Sequence, residues 1–177
     1  MRFWTGLLAG IGLLSCAEPA RELTCDEHLA ATESRAASIF SDPTVPADSL
    51  RVVARIYADF ANSCHDHPQT PEILFRRADV LLGLEKFHEA QALFRDVHDN
   101  FGSYERRSAC AFFVAFIYDV HLGDRMRAIK AYNEVLELHP SSAEAEWARQ
   151  ALIALGEAAP AAPTKSATDL LLLPSAS

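Results

Sequence analysis

Residues 81–97 read LLGLEKFHEAQALFRDV, and residues 116–135 read FIYDVHLGDRMRAIKAYNEV. Both run an apolar helical stretch into a short turn. Each turn leads to an Ala with an aromatic four residues on: Ala90 and Phe94 in one, Ala128 and Tyr132 in the other. That spacing puts the pair on one helical face. Written twice in one chain, it predicts repeated helical hairpins. A single hairpin cannot bury its own apolar face, so such units stack.

Working outward, the apolar periodicity extends the helical expectation over most of the chain. Thr24-Cys25-Asp26-Glu27 has the form of a capping box and opens a helix over 25–40. SDPTVPADS at 41–49 reads as a loop, and 50–63 as the next helix. Thr70-Pro71 supplies an N-cap and a first-turn proline for a helix over 71–84. Phe87, Ala90, Phe94 and Val97 form the stripe of a helix over 87–99. Gly102 is available for a left-handed stop. A second pair is expected at 104–121 and 124–138, with a turn one residue longer. Ser141-x-x-Glu144 predicts a last capping box and a helix to about residue 155.

Composition agrees with a globular, helical chain. Of 177 residues, 50% are hydrophobic and 23% charged, and the net charge is −8. An acidic chain lacks the basic face that nucleic acid requires. The glycines number 7, and Gly6, Gly10 and Gly12 fall in the first sixteen residues. Little glycine remains to cradle a phosphate or dinucleotide, and nucleophile elbows and paired catalytic carboxylates are absent from the sequence. No cofactor and no catalytic residue is expected.

The repeat resembles the tetratricopeptide repeat. Leu74, Ala78, Leu81, Phe87, Ala90, Phe94 and Val97 fill the family's scaffold places in one unit, and Ala115, Tyr118, Ala128, Tyr132, Val135 and Pro140 in the next. Arg125 stands where the family opens its second helix with an aromatic. Residues 50–68 keep Phe60 and Pro68 of a degenerate unit. The resemblance implies an all-α fold: a short tetratricopeptide-like helical-hairpin solenoid with an N-terminal helix and a C-terminal capping helix. LELHPSSAEAEWARQALIALG resembles the closing segment of bacterial envelope lipoproteins of the barrel-assembly (BamD-like) and Tol-Pal-associated types. AFIYDVHLGDRMRAIKAYNEVLELHP resembles those of Bacteroidota.

The first residues point the same way. MRFWTGLLAGIGLLSC has one Arg and an apolar run from Phe3 to Leu14, too short to span a bilayer and suited to a signal peptide. Leu13-Leu14-Ser15-Cys16 resembles a bacterial lipobox, which implies cleavage before Cys16 and lipidation of it. The alternative is an ordinary secretory signal cut near Ala17 or Ala20. The expected organisation is a signal peptide at 1–15, a tether at 16–23, a solenoid domain at 24–156 and a Pro/Ala-rich tail at 157–177. That tail carries the apolar run LLLL at 170–173. By the enterobacterial sorting pattern, Ala17 implies lipid anchoring to the outer membrane, facing the periplasm.

Export makes disulfides available. Cys25 and Cys64 sit at expected helix ends, where a bridge is one open pairing. Cys110 lies in the apolar ACAFFVAF and is expected to pack as a small hydrophobe. Cys64-His65-Asp66-His67 offers metal-ligand types, but a loop without HExxH or CxxC partners reads as a solvated turn, and no metal is expected. The charge groups Glu105/Arg106/Arg107 and Asp124/Arg125/Arg127 read as solvated helix starts. A partner-binding groove is expected along the first helices of the repeats, at Glu72, Phe75, Asp79, Leu82, Phe112, Phe116 and Asp119. The resemblance then implies a non-catalytic protein-interaction scaffold in outer-membrane protein assembly or envelope maintenance. Its partners would be other envelope proteins. The alternatives are a division-linked envelope coordinator or a metal-dependent enzyme using the histidines.

Overall fold

The Thr24 hydroxyl accepts from the Glu27 amide, and the Glu27 carboxylate accepts from the Thr24 amide at 2.9 Å. This reciprocal cap satisfies amide donors that have no intrahelical partner, and it fixes where the first helix begins. In the computed structural model, which describes residues 22–42 and 44–158, α1 runs Cys25–Phe40. It is followed by α2 (Ala47–Ser63), α3 (Thr70–Gly83), α4 (Phe87–Asn100) and α5 (Arg107–Phe116). A π-helical turn, Ile117–His121, continues α5, and α6 (Arg125–Leu138) and α7 (Ala143–Ala154) complete the order. The described residues are all helix and connection, with no strand among them. The signal segment 1–15, Cys16 and the apolar run 170–173 lie outside them.

Each helix packs on the next, and α5 also touches α7. The shared core forms where the helical stripes meet. Phe60 of α2, Phe94 of α4 and Tyr132 of α6 are 0%, 0% and 1% exposed. Ala78, Ala90, Ala115 and Ala128 are fully buried, and their small side chains let neighbouring helices approach closely. Leu74, Leu81, Val97 and Val135 join them, and Ala145, Ala148 and Leu152 carry the core into α7. Phe87 and Tyr118 are half-buried against this core, while Pro140 is exposed. Cys110 is buried and free, and burial pushes its thiol up to about 12.

Several helix ends differ from the sequence expectation, each for a local reason. The second helix starts at Ala47 rather than Leu50, with Pro46 in extended backbone as its N-cap. Thr70 is the first residue of α3 rather than its cap, and its hydroxyl turns back to donate to the Cys64 carbonyl at 2.6 Å. Ser142, not Ser141, caps α7, accepting from the Ala145 amide at 3.1 Å. Left-handed backbone occurs at Glu85, Gly123 and Gly156 but not at Gly102. The first hairpin therefore turns on a non-glycine residue. Glu85 closes α3, with its own amide on the Leu82 carbonyl and the Lys86 amide on the Leu81 carbonyl.

Cys25 and Cys64 are joined as a disulfide, with their Cα atoms 5.7 Å apart. The bridge ties the first turn of α1 to the end of α2. His67 completes the junction. It lies 3.1 Å from an Asp26 carboxylate oxygen, and its ring packs edge-on to Phe60 at 5.7 Å.

Candidate functional site

The expected groove residues separate into two groups. On α3, Phe75 is only 4% exposed and belongs to the core. It lies edge-on to Phe94 at 5.2 Å and to Phe113 at 5.8 Å, and the Arg106 guanidinium covers it 3.6 Å from the ring centroid. A ring sandwiched this way is not free to meet a partner, so Phe75 is removed from the groove. Glu72 is also engaged. It accepts from Arg76 Nε at 2.8 Å and from the Tyr104 hydroxyl at 2.6 Å, and Arg106 stands 3.5 Å away. Burial raises the Glu72 carboxyl, but the bonds from Tyr104 and Arg76 outweigh it, and its pKa lies below the usual value. Burial and the Glu72 bond together push the Tyr104 hydroxyl well above its ordinary value. Asp79 is exposed, and Leu82 is half-buried against the core.

On α5 the groove residues stay near the surface. Phe112 and Phe116 are half-buried and stack with their centroids 6.2 Å apart. Phe112 also meets Tyr132 at 5.8 Å and Trp147 at 5.6 Å. Phe116 meets His121 at 5.5 Å. Trp147, on the first half of α7, remains 52% exposed. Phe112, Phe116 and Trp147 thus form an aromatic shelf spanning α5 and α7, with exposed Val120 at the α5 end. Asp119 does not project as a rim charge, because it accepts from the Tyr132 hydroxyl at 3.2 Å. Burial first, and Asp119 second, raise the Tyr132 hydroxyl above its ordinary pKa.

Trp147 is absent from the sequence-derived groove. Its signal was available: it is the one aromatic in the Ala-rich AEAEWARQALIA. It falls opposite buried Ala145, Ala148 and Leu152, and so points away from the core.

The remaining candidates resolve into local structure. Cys64 is in the disulfide, His65 pairs with Asp66 at 2.9 Å, and His67 turns to Asp26. Among the described residues no group of three or more His, Cys, Asp or Glu is placed to hold a metal ion. Arg107 donates to the His98 carbonyl at 2.7 Å, and Arg127 pairs with Asp124 at 3.3 Å. Arg125 reaches across to the Leu155 carbonyl and to Glu157, where it binds the end of α7. An open depression of about 970 Å³ lies between α4 and α6, lined by Arg95, Tyr118, Arg127, Lys130 and Glu134. The Arg95–Glu134 ion pair, 3.3 Å, crosses it, and none of the shelf residues borders it. No described helix is long and apolar enough to cross a membrane.

Set against known proteins, the chain matches no family model, and no curated protein is significantly similar to it.

Proposed function

We propose that this chain is a non-catalytic interaction scaffold. In this reading it is a tetratricopeptide-like solenoid, anchored through a lipidated Cys16 and offering its α5–α7 face to protein partners of the cell envelope. The observation that carries the reading is the aromatic shelf. Rigid aromatic side chains left half-exposed and adjacent are the composition of interaction hot spots, because they bring much contact area at low entropic cost. The solenoid reading is supported by the equivalent, fully buried placement of Phe60, Phe94 and Tyr132 on alternate helices. The envelope reading is supported by the lipobox-like Leu13-Leu14-Ser15-Cys16, and the Cys25–Cys64 bridge fits an oxidising compartment. Within the envelope, assembly or maintenance of outer-membrane proteins is the proposed setting.

The test is crosslinking in cells of the tagged, full chain followed by mass spectrometry. Cys16→Ser, Phe116→Ala and Trp147→Ala are run beside it. Recovery of an outer-membrane or assembly protein that depends on Cys16 and falls with Trp147→Ala is the expected result. Recovery of peptidoglycan or division proteins moves the assignment to division. Partner capture that survives both aromatic substitutions removes the shelf from the interface.

A further inference from the structure

His98, in the last turn of α4, is only 3% exposed. Its Nδ1 lies 2.7 Å from an Asp99 carboxylate oxygen. A carboxylate accepts, so Nδ1 carries the hydrogen and Nε2 keeps its lone pair. That Nε2 is 3.1 Å from Nε2 of His139, the residue that ends α6. His139 therefore donates, and the two rings share one N–H···N bond. The ring centroids are 5.3 Å apart. This exceeds the nitrogen separation by almost the full ring radius on each side, so the imidazoles meet head to head. Two ligands of one metal ion converge on it at an angle instead. The pair is a hydrogen bond rather than half of a metal site.

Such a bond has room for a single hydrogen. A proton added to His139 on Nδ1 leaves it in place. With His139 already protonated, a further proton on His98 Nε2 sets two N–H groups and two positive charges against each other at 3.1 Å. The nearby cations do not relieve this. Arg107 of α5 donates to the His98 carbonyl, and Arg95 beside His98 is already paired with Glu134. Asp99 and, from the first turn of α7, Glu144 are the opposing carboxylates, and Tyr104 and Glu105 border the depression beside His139.

We propose that His98 and His139 form a proton-operated latch that pins the 139–142 turn, and with it the start of α7, against α4 and α5 at neutral pH and releases them on acidification. The linkage is continuous. The His139 carbonyl accepts from the Ser142 amide at 3.0 Å, Ser142 caps α7, and α7 carries Trp147. The effect on partner binding rests on the shelf reading above, whereas the latch itself does not. Burial first, then His98 and Arg107, lower the His139 pKa, with Glu144 partly opposing them. A folded-state pKa below the unfolded value means that the unfolded chain binds more protons as the medium acidifies. The contribution is therefore intact above the unfolded value of about 6.5 and is lost as pH falls below it.

The measurement is amide hydrogen exchange of the full chain without any partner, near pH 7.5 and near pH 5, corrected for intrinsic exchange. Segment 139–150 is expected to lose protection between the two conditions while the core of α4 and α6 keeps its own. His139→Gln keeps an N–H donor toward neutral His98, carries no charge of its own and can turn its amide oxygen to a protonated His98, so it is expected to abolish the step. No loss in the natural chain, or the same loss in His139→Gln, overturns the latch. Should that variant fail to fold, ring NMR of the natural chain decides. An N–H···N bond shared by the two rings near pH 7.5 and absent near pH 5 supports the latch, and rings that share no such bond near pH 7.5 overturn it. Because no partner is present, failure here is distinct from failure of the proposed binding role.

Discussion

The α3–α4 and α5–α6 hairpins are each built on a pair of alanines and differ by one residue in the spacing of that pair. Ala78 and Ala90 mark the close approach in the first, Ala115 and Ala128 in the second, and all four are fully buried. The second pair is one residue further apart in sequence. The extra residue does not enlarge the loop. It is absorbed in the π-helical turn Ile117–His121, so that both alanines keep their facing places. A single-residue insertion in a helix commonly takes this form. The consequence is local. The widened turn brings His121 flat against Phe87 of the first hairpin, 4.4 Å between centroids and 16° between planes. Arg125, where the first hairpin has Phe87, is released to bind the end of α7. A helical hairpin can thus be lengthened inside a helix, and the side chains displaced there make contacts with the neighbouring helices.

The largest effects should come from the equivalent core rings. Phe94→Ala removes a fully buried ring that stacks on Phe113 at 4.9 Å, and the cost is expected to be ~3–5 kcal/mol. Tyr132→Phe keeps the ring and removes only the hydroxyl bond to Asp119, at a cost of about 1 kcal/mol. Thermal melts of the two variants measure the ratio. Near-equal losses would mean that Asp119, rather than ring packing, holds the second hairpin. Removing the disulfide with Cys25→Ser and Cys64→Ser together should cost roughly 2–4 kcal/mol, read in the same melts. Loss of α1 hydrogen-exchange protection before the rest of the chain would place that cost in the α1–α2 pair.

Deleting one residue tests the insertion directly. Val120 is 58% exposed and lies within the π-helical turn. Its deletion should let α5 close in α-helical register and leave the fold intact, at less than about 3 kcal/mol. Deleting Val80 of α3 has no such slack. Every side chain beyond it rotates by about 100°, and the cooperative melt should disappear. If both deletions are equally destructive, the widened turn is required by the core rather than added to it.

The sequence made the helices and their order legible because apolar periodicity and side-chain caps are local. Thr24 and Glu27 lie three residues apart, and α1 begins where their pattern places it. The one-residue excess before Arg125 was visible as a longer turn, but its location inside the helix depended on which alanines had to face each other. The same limit governs the candidate site. Phe75, Phe112 and Phe116 have alike positions on their helices, yet Arg106 and Phe113 cover Phe75 while α7 leaves the other two half-open. Covering is set by neighbours distant in sequence, which a pattern on one helix does not encode. Trp147 escaped for the converse reason: it belongs to no repeat position and acquires meaning only beside Phe112.

The smallest predicted difference lies in the turns, which sharpen the comparison most cleanly. Glu85 and Gly123 hold the same left-handed backbone, with φ of 59° and 62°. For a residue bearing a Cβ that conformation costs ~1–2 kcal/mol. Glycine removes the strain but adds freedom to the unfolded chain, offsetting ~0.4–1 kcal/mol. Glu85→Gly should therefore stabilise by roughly half a kcal/mol, and Gly123→Ala should destabilise by a similar amount. A Cβ at Gly123 meets nothing within 4 Å, so the second substitution reads backbone strain without a clash. Opposite shifts of similar size in denaturant midpoints, with unchanged slopes, would show the two turns to be equivalent despite the inserted residue. A larger loss at Gly123 would instead mean that the bond from the Asp124 amide to the Tyr118 carbonyl, 2.8 Å, couples that turn to the π-helical segment.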